Sequence, residues 1–211
     1  YHRNMDTTQA LHALAGLAQK TRLAIFRHLV ELGPGGACPG ELAATVGVAA
    51  PTLSFHLRTL LQAGLVDAEQ NGRSITYRAN FEAMRGLTKK YPRDLDAATI
   101  FAEALMDLRP WNYWTRDGLP NEGTAEAIAA LERVIAANPK HPGALHYWIH
   151  LWEPTQTPER AEREADRLLP LMPGAGHIVH MPAHIYLRVG RYADVVTSNQ
   201  QAAAADEEYI A

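Results

Sequence analysis

Between residues 39 and 79 the placement of glycine and proline leaves the chain one supersecondary arrangement. Pro39 and Gly40 open a short helix from Glu41 to Val46, and Gly47-Val48 forms a tight turn. Pro51 suits the first turn of the next helix, where its missing N–H would be unpaired anyway. That helix runs from about Pro51 to Ala63 and stops at Gly64, a left-handed cap candidate. Two β-prone runs follow, Leu65 to Glu69 and Ser74 to Arg78, around Gln70-Asn71-Gly72-Arg73. Asn-Gly between such runs is a strong hairpin signal. The pattern is a helix-turn-helix followed by a β-hairpin wing.

The flanks extend this unit. Residues 7–32 read as two helices, with Leu11, Leu14 and Leu17, then Leu23, Ile25, Phe26, Leu29 and Val30, at helical spacing. Thr21 is the expected N-cap between them. Gly33-Pro34-Gly35-Gly36 forms a loop; without a following Lys-Ser/Thr it is no phosphate loop. A last helix from Phe81 to Tyr91 should end at Pro92.

Charge divides the chain. Residues 1–90 hold ten Lys/Arg and six Asp/Glu, a net +4; residues 91–211 hold ten and seventeen, a net −7. The second part also carries all four tryptophans and six of ten histidines. Such asymmetry points to two domains with different partners, expected at 5–91 and 92–211. No run of eighteen apolar residues exists, so no membrane span is expected, and the expected compartment is the cytoplasm. Cys38 is alone, which excludes an internal disulfide and an intramolecular thiolate site. Met5 reads as a natural start with four residues before it, and the C-terminus stops soon after a helical pattern, so a fragment is expected.

The ordered set Leu17-Ala18-Gln19-Lys20-Thr21-Arg22-Leu23-Ala24-Ile25-Phe26, Gly40-Glu41-Leu42-Ala43, Pro51 to Leu60 and Ala63-Gly64-Leu65-Val66 resembles the ArsR family of winged-helix repressors over residues 7–87. The resemblance implies a homodimer reading a palindromic operator in double-stranded DNA. The chain departs from the family in lacking clustered metal-sensing cysteines and in its shortened last helix, which bears on dimerisation. Independently, Leu53, Leu57 and Leu60 form an inner apolar stripe, leaving Thr52, Ser54, Phe55, His56, Arg58 and Thr59 around it. Arg58 can reach phosphate or guanine, Thr52 and Ser54 can bond phosphates or base edges, and Arg73 at the wing tip can enter the minor groove. The competing reading makes the arginines solvated charges and His56 a packed side chain.

Residues 92–211 are helical and repetitive. Ala127, Ala161 and Val195 are 34 residues apart, as are Pro139 and Pro173. With the turn Gly190-Arg191-Tyr192, this indicates tetratricopeptide repeats, with Pro92 to Leu119 as a degenerate earlier unit, and the runs His146-Tyr147-Trp148-Ile149-His150 and His180-Met181-Pro182-Ala183-His184-Ile185-Tyr186 resemble a group of bacterial tetratricopeptide proteins. The expected fold is therefore mainly α: a winged helix-turn-helix, then an α-helical tetratricopeptide-like array.

The histidines keep the same period: His146 to His180 and His150 to His184. Each i, i+4 pair shares a helical face, joined by Glu153 and His177. In repeats of this kind that face lines the concave groove. Three readings stay open: a divalent metal site (Zn or Fe), a groove for an acidic peptide or small anion, or histidines that only pack. Pro182 bears on the choice, because a helix starting there would leave His180 at its cap. Trp111, Tyr113, Trp114, Trp148 and Trp152 read as repeat-interface packing rather than a ligand cage, and Arg160 to Arg167, alternating with acids, as a solvated face.

The leading expectation is a repressor-type DNA-binding regulator, not an enzyme, whose repeats bind a ligand, peptide or protein partner. The alternative makes the repeats the working part, as an interaction module or a metal-binding, metal-dependent enzymatic unit, with the winged helix incidental. A joined reading frame near Leu87 to Pro92 is a third.

Overall fold

The computed structural model describes residues 15–72 and 74–210. Leu11 and Leu14 of the expected first helix, and Arg73 at the wing tip, lie outside the described residues. The chain forms two compact units that meet in sequence between Pro110 and Trp111. The fold is mainly helical: a helix-turn-helix, a two-stranded antiparallel hairpin, then a helical array.

In the first unit, α1 spans Lys20–Glu31, α2 Pro39–Val46 and α3 Ala50–Gln62. Gln19, rather than Thr21, caps α1: its side chain accepts from the Arg22 amide at 2.8 Å. Arg22 also donates to the Gly16 carbonyl, which fixes the entry of the chain. The N-terminus of α2 is closed by a capping box in which the Glu41 carboxylate accepts from the Cys38 amide at 2.8 Å. Gly47 ends α2 with φ of 65°, a left-handed conformation that glycine adopts without steric cost. The core gathers Ile25, Phe26, Leu29, Leu42, Leu53, Leu57, Leu60 and Leu65, all nearly inaccessible.

Strands β1 (Val66–Asn71) and β2 (Ser74–Ala79) pair in register from Val66 opposite Ala79 to Asn71 opposite Ser74. The ladder runs further into the expected loop, as far as Asn71 and Ser74. Gly72, directly after β1, has a φ of 62°, the left-handed region that hairpin turns use. Ala37 adds a bridge to Tyr77 through two backbone bonds of 2.9 and 3.0 Å. That approach requires Gly36: with φ of 63°, it would carry a Cβ 2.2 Å from the Tyr77 carbonyl.

Helix α4 (Phe81–Lys90) ends before Pro92, and α5 (Leu95–Asp107) follows. Helix α5 packs on α4 and α1, and Glu103 is buried in an ion pair with Arg27. The first compact unit thus reaches Pro110, beyond the boundary expected near residue 91.

The second unit holds α6 (Thr124–Ala137), α7 (Pro142–Trp152), α8 (Glu162–Leu168), α9 (Gly176–His180), α10 (Pro182–Val189) and α11 (Tyr192–Ile210). Helix α7 packs on α6 and α8, α10 on α8, and α11 on both α9 and α10. Trp114 donates to the Leu151 carbonyl at 2.7 Å and lies against Trp152, while Arg160 stacks over Trp152 at 4.2 Å. The charged stretch of Arg160 to Arg167 is not simply solvated, because Glu162 and Asp166 both accept from Arg191. Among the described residues no helix is long and apolar enough to cross a membrane.

Candidate functional site

Helix α3 divides cleanly. Leu53, Leu57 and Leu60 are buried; Thr52, Ser54, Phe55 and Arg58 are exposed, and Thr59 is half-buried. Phe55 is 61% exposed, an unusual outward position for a large apolar ring. His56 is only 8% exposed and lies with the leucines, its Nδ1 without a hydrogen-bond partner among the described residues. Its ring meets Phe55 edge-on at 5.6 Å.

Ser54 donates its hydroxyl proton to the Ala50 carbonyl (2.9 Å) and Thr59 to the Phe55 carbonyl (3.1 Å). Their oxygens can accept as they stand, and donation outward requires a rotation of the hydroxyl. Arg58 has no hydrogen-bond or ion-pair partner among the described residues and no acidic residue on its helix. The N-cap of α3 is Ala49, which offers no side-chain cap. The first-turn N–H groups of α3 therefore lack a side-chain acceptor, an end that favours an anion.

The second unit assembles a different site. His146 and His150 sit on α7 and Glu153 at its C-cap; His177 and His180 sit on α9, and His184 on α10. Pro182 does start α10, yet Met181 keeps helical dihedrals (φ −51°, ψ −40°), so the His180/His184 pair survives the break. His180 Nε2 and His184 Nε2 are 3.0 Å apart. His146 Nε2 lies 3.1 Å from His150 Nε2 and 3.1 Å from His177 Nε2. Nitrogens of these three rings lie within 4.8 Å of one another.

Glu153 links the two groups. Its Oε2 is 2.9 Å from His184 Nδ1 and 3.7 Å from His150 Nδ1. The shorter contact is an ion-pair distance without hydrogen-bond alignment, so the oxygen stays formally unsatisfied. Burial would raise the Glu153 pKa, but His150 and His184 outweigh it and bring it down to about 2. His177 is lowered from its ordinary value by partial burial and by the neighbouring His150, His180 and His184, against an opposing pull from Asp206. The carboxylate is thus held ionised and the His177 ring biased to its neutral form.

Two contributors lie outside the histidine period. Asn199, on α11, lies with its Oδ1 2.6 Å from His180 Nδ1. Trp111 abuts His150 edge-on at 5.2 Å with φ of 62°, a left-handed conformation rare for a bulky residue. Asn199 stands 19 positions from its partner and Trp111 in an irregular loop, so neither follows a period.

Residues 17–69 match the family model described as a helix-turn-helix domain. The match spans α1, α2, α3 and part of β1. No curated protein matches the chain. A helix-turn-helix domain is a DNA-binding element whose second helix enters the major groove. The second helix of the helix-turn-helix here is α3.

Proposed function

We propose that the chain is a DNA-binding transcriptional regulator of the ArsR winged-helix type, acting in the cytoplasm as a repressor-type homodimer on a palindromic operator. The observation that carries the reading is the outer face of α3. It combines an Arg58 without a partner among the described residues, exposed Thr52, Ser54 and Phe55, and an N-terminus without a side-chain cap, all held on a buried leucine stripe. Arg58 bonds guanine or phosphate; Thr52, Ser54 and Thr59 accept from or donate to phosphates and base edges; Phe55 meets thymine methyl groups. Arg73, which follows Asn71-Gly72 in the sequence, reaches the minor groove. His56 packs with the leucines and positions the helix instead of touching DNA. The second unit is a tetratricopeptide-like ligand- or partner-binding segment, a reading supported by paired helices and by the 34-residue spacing of His146 and His180.

Selection from a random duplex pool tests this reading, with light scattering of the free chain and of the complex. The expected result is enrichment of a two-fold symmetric site bound by a dimer. A pool that stays random after repeated rounds would overturn specific recognition. A monomer bound to an asymmetric site would overturn the dimeric mode.

A further inference from the structure

The contact pattern among the histidines is hard to satisfy with protons alone. An imidazole nitrogen has one in-plane direction, holding either a proton or a lone pair. His146 Nε2 lies 3.1 Å from two other ring nitrogens, those of His150 and His177. It serves one of them well as a hydrogen-bond partner; the other must share the same proton or lone pair off its axis. An ion at the convergence point accepts all three lone pairs at once.

The spacing also fits. Bonds of about 2.0 Å in a tetrahedral site set neighbouring ligand nitrogens about 3.3 Å apart. Two of the three edges here are 3.1 Å, and the third lies within 4.8 Å. We propose that His146, His150 and His177 form a binding site for one divalent transition ion of the zinc type, with the fourth coordination position open to water. Three neutral imidazoles without a thiolate suit zinc and its first-row neighbours rather than calcium or magnesium.

Glu153 is the supporting group. It lies on the Nδ1 side of His150, so that ring turns Nε2 toward the ion, and the ionised carboxylate offsets part of the added charge. His184, held by the same carboxylate, and His180, held by Asn199, pair beside the site. An anion site would present N–H groups outward, whereas here three nitrogens face one another. This inference concerns the second unit alone and is independent of DNA binding.

The test uses the untagged full chain, stripped of metal and dialysed against zinc chloride. Elemental analysis, calorimetry and thermal melting are applied to the wild type, His177→Gln and His146→Gln. The expected result is one zinc per chain, a melting temperature raised by zinc, and affinity at least a hundredfold weaker in each variant. His177 is exposed, so its replacement leaves the core packing intact; circular dichroism of the metal-free variants checks this. If His146→Gln does not fold, His177→Gln decides alone. Substoichiometric zinc in the wild type, or unchanged zinc affinity in folded His177→Gln, would overturn the proposal. So would binding of inorganic phosphate at this cluster with no zinc uptake.

Discussion

The two units arrange their candidate residues in opposite ways. On α3 the side chains stand apart, each from one helix, and Arg58 has no partner among the described residues. In the second unit, side chains from α7, α9, α10 and α11 converge and engage one another. A surface of the first kind meets an extended polyanion, which supplies the missing partners along its length. A cluster of the second kind closes on something small. The contrast follows from construction: one helix projects a face, but only packed helix pairs can bring distant residues to a point.

The largest effect that sharpens this contrast is expected at Gly36. Gly36→Ala sets a Cβ 2.2 Å from the Tyr77 carbonyl at a positive φ, against backbone that cannot swing away. The first unit should lose about 3 kcal/mol or more, seen as a collapsed first transition in calorimetry, with zinc uptake by the second unit unchanged. Loss of zinc uptake in the same variant would break the separation of the two sites.

Next comes Arg58→Ala. DNA affinity should fall roughly 10- to 100-fold, corresponding to about 1–3 kcal/mol, with thermal stability unchanged because the side chain is exposed. A smaller effect is expected at Glu153→Gln, about tenfold in zinc affinity. The wild-type carboxylate sits at about 2 against an ordinary 4.5. A depressed acid adds stability that is present above the ordinary value and drains away as pH falls toward 2. The Gln variant should lack that acid-sensitive component in a pH series of melting temperatures.

The smallest effect is at Asp107, at the C-terminal end of α5. Burial, aided by Glu103 and Glu31, raises its pKa to about 6 from an ordinary 3.8. A raised acid costs stability as pH climbs through that window, and a carboxylate at a helix C-terminus opposes the helix dipole. Asp107→Asn should therefore stabilise the first unit by about 1 kcal/mol at pH 7, after allowance for solvent screening, and hardly at all at pH 4.

What the sequence makes legible follows the range of the forces involved. Gly47, Pro51 and Gly64 act locally, so the helix-turn-helix can be read from them, and the i, i+4 histidine pairs follow from helical geometry. In sequence His56 stays open between a DNA-facing and a packed position, and its spacing, three residues after Leu53 and four before Leu60, fits the packed one it takes. The packing of α5 is not: nine of its thirteen residues are buried, so no single apolar stripe shows which neighbour it takes. Nor does any period reveal the approach of His177 to His146. That contact, spanning 31 positions, depends on how the turn before α9 folds the chain back.

DNA reading by α3 is tested by fluorescence anisotropy of the intact chain on duplex DNA across a salt series, beside Arg58→Ala. Binding is expected at low salt, with a steep fall as salt rises through counterion release, and a shallower slope by about one unit in the variant if Arg58 holds a phosphate. If Arg58 instead reads guanine, the slope holds and affinity falls selectively on the operator. No binding at low salt, or affinity untouched by Arg58→Ala on any duplex, would contradict the claim that α3 reads DNA.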